Sequence, residues 1–322
     1  MIAHSGEYRK KNGQRGYVMM NNFIFENKTK VYFGKGGVKE YLGGLLANFG
    51  ETVMLAYGGG SIKCNGVYDE IMGILNAQGK CVVEFSGIMS NPTYAKVQEG
   101  AKLARENHVD LILAVGGGSV SDCCKVISGA FDTLSHAMET YFGKPDENNL
   151  SDDINEAVMR SVIRNIRILL TDPENYDARS ELAQASAMAE NGVLKIGKVT
   201  DFQAHQIQHQ FGAYTNCNHG AGLAVIHPVL YRHIYKSGAA RFARFAQNVW
   251  GIAPKGSDGE TAAGIDALAA FIKEIGLPTS FAELGIPADT DFRAVADSTN
   301  ITAGCCKKLT HDEIYEILQE YL

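Results

Sequence analysis

Three histidines, His205, His209 and His219, fall inside fifteen residues, in the run Asp-Phe-Gln-Ala-His-Gln-Ile-Gln-His-Gln-Phe-Gly-Ala-Tyr-Thr-Asn-Cys-Asn-His-Gly-Ala-Gly that begins at Asp201. Upstream, Asp132 precedes His136 by four residues. That is a little over one helical turn, so both side chains can project from one helix face. Asp132, His136 and two of the three clustered histidines make one carboxylate and three imidazoles, a donor set that suits a divalent transition metal. An isolated histidine is more often a hydrogen-bonded core residue than a ligand, and His4, His108, His227, His233 and His311 are read that way or as surface groups. Three in so short a run are read as a metal site. Glu139 and Asp201 stand beside these clusters; each either orients a ligand imidazole or is a solvated surface charge, the commoner case. Cys217, two residues before His219, is read as a buried bystander rather than a thiolate ligand.

Two further motifs could hold a ligand. Gly58-Gly59-Gly60-Ser61 and Gly116-Gly117-Gly118-Ser119 each follow an apolar run, Thr52–Tyr57 and Asp110–Val115. Glycine at the end of a buried strand lets backbone N–H groups approach an anion, and the following helix N-terminus adds positive potential. Ser61 or Ser119 can cap its helix and bond a phosphate oxygen. Neither loop has the G-x-G-x-x-G spacing of a dinucleotide fingerprint, so a plain strand-to-helix turn is the competing reading.

The elements that must position these residues divide the chain. Asn22–Ala130 alternates apolar runs with helical periodicity. Strands are expected at Lys30–Gly34, Thr52–Tyr57, Cys81–Phe85 and Asp110–Val115, and helices around Val67, Ile71 and Leu75 and over Tyr94–Glu106. That order predicts a parallel, doubly wound sheet. From Phe131 onward, Ile154, Val158 and Val162, then Ile265, Leu268 and Ile272, recur at helical spacing. The expected organisation is a disordered extension at 1–19, a nucleotide-binding α/β domain at 20–130, which the resemblance described next makes a partial one, and an all-helical metal-binding domain at 131–322.

Composition excludes some functions. The net charge of −6 is spread over mixed acidic and basic residues, so the chain lacks the clustered Lys and Arg that nucleic-acid binding needs. No apolar run is long enough to span a bilayer, and the N-terminus has no apolar core of the signal-peptide type. Seven cysteines without a CxxC spacing read as reduced thiols, which implies the cytoplasm.

The chain resembles the iron-containing (group III) alcohol dehydrogenases, and most closely their butanol dehydrogenase branch. The resemblance rests on Tyr57-Gly-Gly-Gly-Ser-Ile-Lys, Phe85-Ser-Gly-Ile-Met-Ser-Asn-Pro92, Val115-Gly-Gly-Gly-Ser-Val-Ser-Asp-Cys-Cys-Lys125, Asp132-Thr-Leu-Ser-His136 and the block from His205 to Gly222. It implies a dehydroquinate-synthase-like parallel-sheet domain, truncated here, followed by an all-α metal-binding domain. By position it implies Asp132, His136, His205 and His219 as metal ligands and His209 as a further catalytic histidine. It implies Gly116, Gly117, Gly118, Ser119 and Asp122 at the cofactor pyrophosphate, and Gly58, Gly59, Gly60 and Ser61 at the adenosine ribose. The first loop lacks an acidic residue that would repel a 2′-phosphate, so NADPH is accommodated as well as NADH. The implied metal is iron(II), with zinc(II) fitting the same donors. The implied reaction is reversible hydride transfer between small primary alcohols and aldehydes, in a homodimer.

One departure stands out. Only sixteen positions separate Gly116 from Asp132, where family members carry a long stretch with several strands and a cofactor-touching loop. A parallel crossover alone takes about a dozen residues or more, so those strands cannot be hidden in this interval. One wall of the nicotinamide site is then expected to be missing, and apolar sheet surface to be exposed or covered by a partner. The alternative to a working dehydrogenase is a metal-binding remnant that lacks part of the cofactor site. A phosphate-substrate chemistry on the same scaffold would need more cations than Arg232 and Lys236 behind the histidine block.

Overall fold

The structure is a computed structural model, and it describes residues 24–27, 29–89, 93–116, 123–144, 148–253, 258–302 and 306–320. The expected N-terminal extension, and Gly117, Gly118, Ser119 and Asp122 of the second glycine loop, lie outside the described residues. The first part runs α1 (Gly37–Leu46), β1 (Thr52–Tyr57), α2 (Ser61–Cys64), α3 (Val67–Ala77), β2 (Cys81–Phe85), α4 (Tyr94–Glu106) and β3 (Leu111–Val115). Among the described residues the sheet has three strands in the order β2-β1-β3, all parallel. The central strand is β1, whose uninterrupted apolar run suits burial on both faces. Val53, Leu55 and Tyr57 pack with Leu46, Ile71 and Leu75 from α1 and α3. Met54, Ala56 and Phe85 face the other way, against Leu103 and Ala104 of α4. A Cβ at Gly100 of α4 would stand 2.8 Å from the Phe85 ring, so glycine allows this helix to sit down on the sheet.

Two expectations change here. Lys30–Gly34 forms no strand, and Val31, Tyr32 and Phe33 are exposed. A strand needs a ladder partner as well as β-branched and aromatic residues, and none of the described residues supplies one. Ser61 does not cap α2; Gly60, at φ +104°, occupies the cap position and Ser61 is the first helical residue. Among the described residues β3 is an open edge, and Ile112 on its outer face is 60% exposed.

Seven residues after β3 the chain enters a helical body: α5 (Cys123–Tyr141), α6 (Leu150–Thr171), α7 (Tyr176–Glu190), α8 (Gln203–Thr215), α9 (His219–Ile234), α10 (Ala239–Asn248), α11 (Asp258–Glu274), α12 (Phe292–Ser298) and α13 (His311–Gln319). Helix α5 thus runs straight across the expected boundary at 130/131. Its Phe131, Leu134, Met138 and Tyr141 recur at helical spacing and are buried in one core with Phe211, Tyr231, Phe242 and Phe245. This core and the two clusters of the sheet share no residue. No described helix is long and apolar enough to cross a membrane.

Candidate metal centre

The polar stripe of α5 carries Asp132, His136 and Glu139, at spacings of four and three that keep them on one helical face. Two close approaches bring other elements onto that face. The first residues of α9 press against α5: a Cβ at Gly220 would lie 2.1 Å from the Ser128 carbonyl oxygen, so only glycine lets His219 come this near. Asn218 caps α9 by accepting from the Ala221 N–H (3.0 Å), and the same oxygen accepts from the Ser128 hydroxyl (2.8 Å). The second approach is at Gly143, where a Cβ would stand 2.4 Å from the Val199 carbonyl oxygen. There Lys144 and Val199 form an isolated antiparallel bridge that ties the segment before α8 to the end of α5.

Phe202 stands in the cap position before α8, with a left-handed backbone (φ +55°) and no capping side chain. Glu139 of α5 does the capping instead. Its carboxylate accepts from the Ala204 N–H at 2.6 Å and the His205 N–H at 3.3 Å, and it also pairs with His205 Nδ1. A buried carboxylate at a helix N-terminus with three donors is well satisfied. Glu139 is fully buried, so the commoner reading of it as a solvated surface charge is overturned. Asp201 is equally buried; burial first, then the charge of Glu139, pushes its carboxyl well above the usual range. His219 Nδ1 is likewise held, by Oε1 of Gln208, whose amide nitrogen points to Cys217 Sγ at 3.9 Å. Gln208 was not a sequence candidate, although it lies three residues after His205 on the same helix and so shares its side.

With both Nδ1 atoms occupied, the Nε2 atoms turn inward. Asp132 Oδ1 lies 3.4 Å from His205 Nε2, 3.4 Å from His219 Nε2 and 3.7 Å from His136 Nε2. Tetrahedral donors with bonds of about 2.0–2.1 Å stand roughly 3.3–3.4 Å apart, so the spacing matches a small divalent ion. Asp132 Oδ1 and His205 Nε2 are buried and have no hydrogen-bond partner. Buried polar atoms without partners are rare, and a cation would satisfy both. The tightest group is Asp132, His205 and His219, whose ligand atoms all lie within 4.8 Å of one another. His136 stands at its side, where Nε2 also meets Glu190 Oε1 at 3.0 Å.

The electrostatics agree with a site that favours positive charge. Burial pushes the Asp132 carboxyl up, but the neighbouring imidazoles of His205 and His219 outweigh it and hold the group well below the usual carboxylate range. Burial opposes the imidazolium of His205, yet Glu139 and Asp132 push its pKa up to about 9. At His136 burial, reinforced by the charge of His205, lowers the value to about 4. His209 is on the exposed side of α8. Its ring stacks on His219 at 5.4 Å between centroids and 20° between planes, and burial with the His219 charge lowers its pKa. Phe202 covers the inner side, 5.3 Å from the His136 ring and 5.0 Å from that of His205.

Of the cofactor residues, Gly58, Gly59, Gly60, Ser61 and Gly116 are described, and Gly117, Gly118, Ser119 and Asp122 are not. A Cβ at Gly58 would sit 3.2 Å from the Ile88 carbonyl oxygen, whereas Gly59 and Gly60 face open space. The backbone of this loop is therefore accessible to a ligand phosphate or ribose. His108, His233 and His311 lie away from the centre; His233 pairs with Glu320 (2.7 Å) and His311 with the Thr299 carbonyl (3.0 Å).

Comparisons with known proteins place the chain in a family. A family model described as iron-containing alcohol dehydrogenase matches residues 28–157, and one described as the C-terminal part of the Fe-containing alcohol dehydrogenase family matches residues 126–322. The chain belongs to the iron-containing alcohol dehydrogenase family, on its butanol dehydrogenase branch, and is an oxidoreductase. It is 30% identical to the probable NADH-dependent butanol dehydrogenase 2 of Bacillus subtilis (strain 168), over 94% of this chain and 100% of that protein. It is 26% identical to an NADPH-dependent aldehyde reductase of Escherichia coli (strain K12), over 83% of this chain and 90% of that protein. The crystal structure of NADH-dependent butanol dehydrogenase A from Thermotoga maritima superposes with a TM-score of 0.86 at 27% identity, covering 94% of this chain and 99% of that one.

The first of these alignments spans 392 positions, against a chain of 322 residues, so at least 70 of its positions have no counterpart here. The join of β3 to α5 through residues 116–122 is where the sequence resemblance puts the shortfall.

Proposed function

We propose that this chain is a metal-dependent alcohol dehydrogenase that moves hydride reversibly between small primary alcohols or aldehydes and NADH or NADPH. The observation that carries the reading is the convergence of three imidazole Nε2 atoms on one buried carboxylate oxygen that has no other partner. Asp132, His136, His205 and His219 would hold the ion, iron(II) in the family's manner with zinc(II) suiting the same donors. A divalent ion there supplies a Lewis acid for an alcohol or carbonyl oxygen.

The remaining work falls to side chains of this chain. Glu139 and Gln208 fix which nitrogen His205 and His219 present, by occupying Nδ1 of each. Phe202 keeps water from the inner side of the centre. His209, exposed and stacked on His219, is placed to pass the alcohol proton to solvent, and neutral imidazole is the form that accepts it. Gly58, Gly59, Gly60 and Ser61 would carry the adenosine ribose, and Gly116, Gly117, Gly118, Ser119 and Asp122 the pyrophosphate. Relatives named for NADH and for NADPH both align along the chain, which supports either cofactor. Cys64, Cys81, Cys217 and Cys306 form no disulfide, which supports a reducing, cytoplasmic setting. The open edge of β3 supports a homodimer.

The test is aldehyde-dependent oxidation of NADH and NADPH by purified protein, first as isolated, then after chelation and after reloading with iron(II) or zinc(II). Activity that disappears with chelator and returns with metal is expected. No turnover with either cofactor across the short-chain aldehydes would overturn the reading.

A further inference from the structure

Helix α7 ends at Glu190, and the chain turns at once. Gly192 has a left-handed backbone (φ +86°), the Asn191 side chain accepts from the Val193 N–H (2.9 Å), and one 3₁₀ turn follows over Val193–Lys195. Leu194 is buried in the main core and anchors this turn. Lys195 beside it is half-buried, and its Nζ lies over the Phe202 ring, 4.8 Å from the centroid. That ring stands 5.3 Å from the His136 ring and 5.0 Å from the His205 ring. The ammonium is thus one aromatic ring away from two imidazoles of the metal centre. Phe202 holds its ring there at φ +55°, a left-handed backbone that is costly for a bulky residue and persists where its surroundings demand it.

An ammonium drawn partly out of water ordinarily finds a counter-charge. Among the described residues the Lys195 ammonium makes no ion pair and no hydrogen bond, and it rests on the face of the Phe202 ring. Two carboxylates of this region are turned elsewhere. Glu190 meets His136 Nε2 at 3.0 Å, and Asp132 faces the converging Nε2 atoms. A positive charge is therefore held beside the centre with no anion matched to it. The arrangement has three parts: an oxygen-binding centre at one end, an apolar ring face in between, and a cation at the other end.

We propose that Lys195 reads the far end of the substrate and selects short aldehydes and alcohols that carry a terminal carboxylate, the ω-oxo and ω-hydroxy acids, over their uncharged counterparts. This rests on the alcohol dehydrogenase reading above. A carboxylate pairs with an ammonium more strongly beside an apolar ring than in open water, because the local dielectric is lower. The methylene chain between the two ends has the Phe202 ring to lie on. Chemistry at the reacting end is unchanged. The aldehyde carbon takes hydride from NADH or NADPH and its oxygen takes a proton, which gives the ω-hydroxy acid and the oxidised nicotinamide.

The test compares 4-oxobutanoate with butanal as substrates of the full-length, metal-loaded protein, with NADH and with NADPH. Wild type is expected to favour the acid by about tenfold or more in kcat/KM. Lys195→Met keeps the apolar stem on Phe202 and removes the charge. It is expected to cut the ratio of the two kcat/KM values by about tenfold, through KM for the acid. Lys195→Arg is expected to restore most of the ratio, which a merely structural role of Lys195 would not require. Binding gives a readout without turnover: 4-hydroxybutanoate should raise the melting temperature more than butan-1-ol at equal concentration, and Lys195→Met should erase the difference. Equal kcat/KM for acid and aldehyde in wild type, or a Lys195→Met loss shared equally by both, would overturn the assignment of Lys195 and leave the dehydrogenase standing. If no aldehyde turns over, the dehydrogenase reading falls, and equal melting temperatures with the two alcohols then remove the carboxylate subsite as well.

Discussion

The helical body and the sheet region treat polar groups in opposite ways. In the helical body, Asp132, Glu139, Asp201 and His205 sit inside or against the main core, and apart from Asp132 they are almost wholly excluded from water. They are tolerated because each carboxylate is matched by a helix N-terminus, an imidazole or protonation, and because the centre is built to take a cation. In the sheet region the comparable charges are at the surface: Glu84 accepts from the hydroxyls of Tyr57 (2.5 Å) and Tyr68 (2.6 Å), with Lys63 at 3.4 Å, on the rim. Its core is small and its β3 edge is open. The part that would hold the metal is cross-braced, and the part that would hold the nucleotide shows, among the described residues, one complete glycine loop and three strands.

The largest expected effect strikes the braced half. Asp132→Ala removes the oxygen on which all three imidazoles converge, and metal affinity should fall by more than about 100-fold, beyond what loss of an outer partner costs. Metal analysis after gel filtration, alongside the dehydrogenase assay, reads this directly; retention of one ion per chain would contradict the site. Gly220→Ala comes next. Its methyl group must displace the α5 backbone, so a stability loss of about 1–3 kcal/mol is expected together with lower metal occupancy. Gly59→Ala in the sheet region faces open space and should lose far less in the same urea titration.

Glu139→Gln keeps the volume but turns an amide N–H toward His205 Nδ1 and the start of α8. Metal affinity should fall about 10- to 100-fold in chelator competition, with the fold retained by circular dichroism.

A pH-dependent contribution comes from His227, which is fully buried against Ser135 Oγ (2.5 Å) and held down to about 4 by burial. The unfolded chain takes up that proton near the ordinary value of 6.5, so unfolding binds a proton between the two values. Stability from this residue is complete above 6.5 and is lost as the pH falls toward 4, amounting to about 2 kcal/mol between pH 7 and pH 5. His227→Gln should flatten that part of the stability curve in urea titrations at the two pH values. An unchanged slope would mean the imidazole is not held neutral.

The smallest effect is expected at the sheet edge. Ile112→Lys replaces an exposed side chain and should alter monomer stability by no more than about 0.5 kcal/mol, while weakening any association through that edge. Sedimentation of the two proteins separates these outcomes.

Much of the site was legible because its spacing is local. Asp132 and His136 are one turn apart, and Glu139 falls on the same stripe. His205 and His209 share a helix, and α9 starts at His219. Three strands and the helix over Tyr94–Glu106 follow from periodicity alone. The strand expected at Lys30–Gly34 failed because pairing is a property of two segments. The choice for Glu139 between orienting a ligand imidazole and lying at the surface is left open by the sequence, because its donors come from Ala204 and His205, more than sixty residues further along the chain. Gln208 left only a faint signal, its place one turn from His205, and Lys195 left none.

What the sequence determined by itself is the donor chemistry: one carboxylate and clustered imidazoles on helical spacings, two glycine loops, and a shortfall between Gly116 and Asp132. Periodicity and composition are local quantities, and they survive without a fold. Which nitrogen each histidine presents and which carboxylate braces α8 were decided only by tertiary structure. Those choices depend on approaches such as Gly220 to Ser128 and Gly143 to Val199, where distant segments meet within van der Waals range and the burial they create sets every charge in the centre.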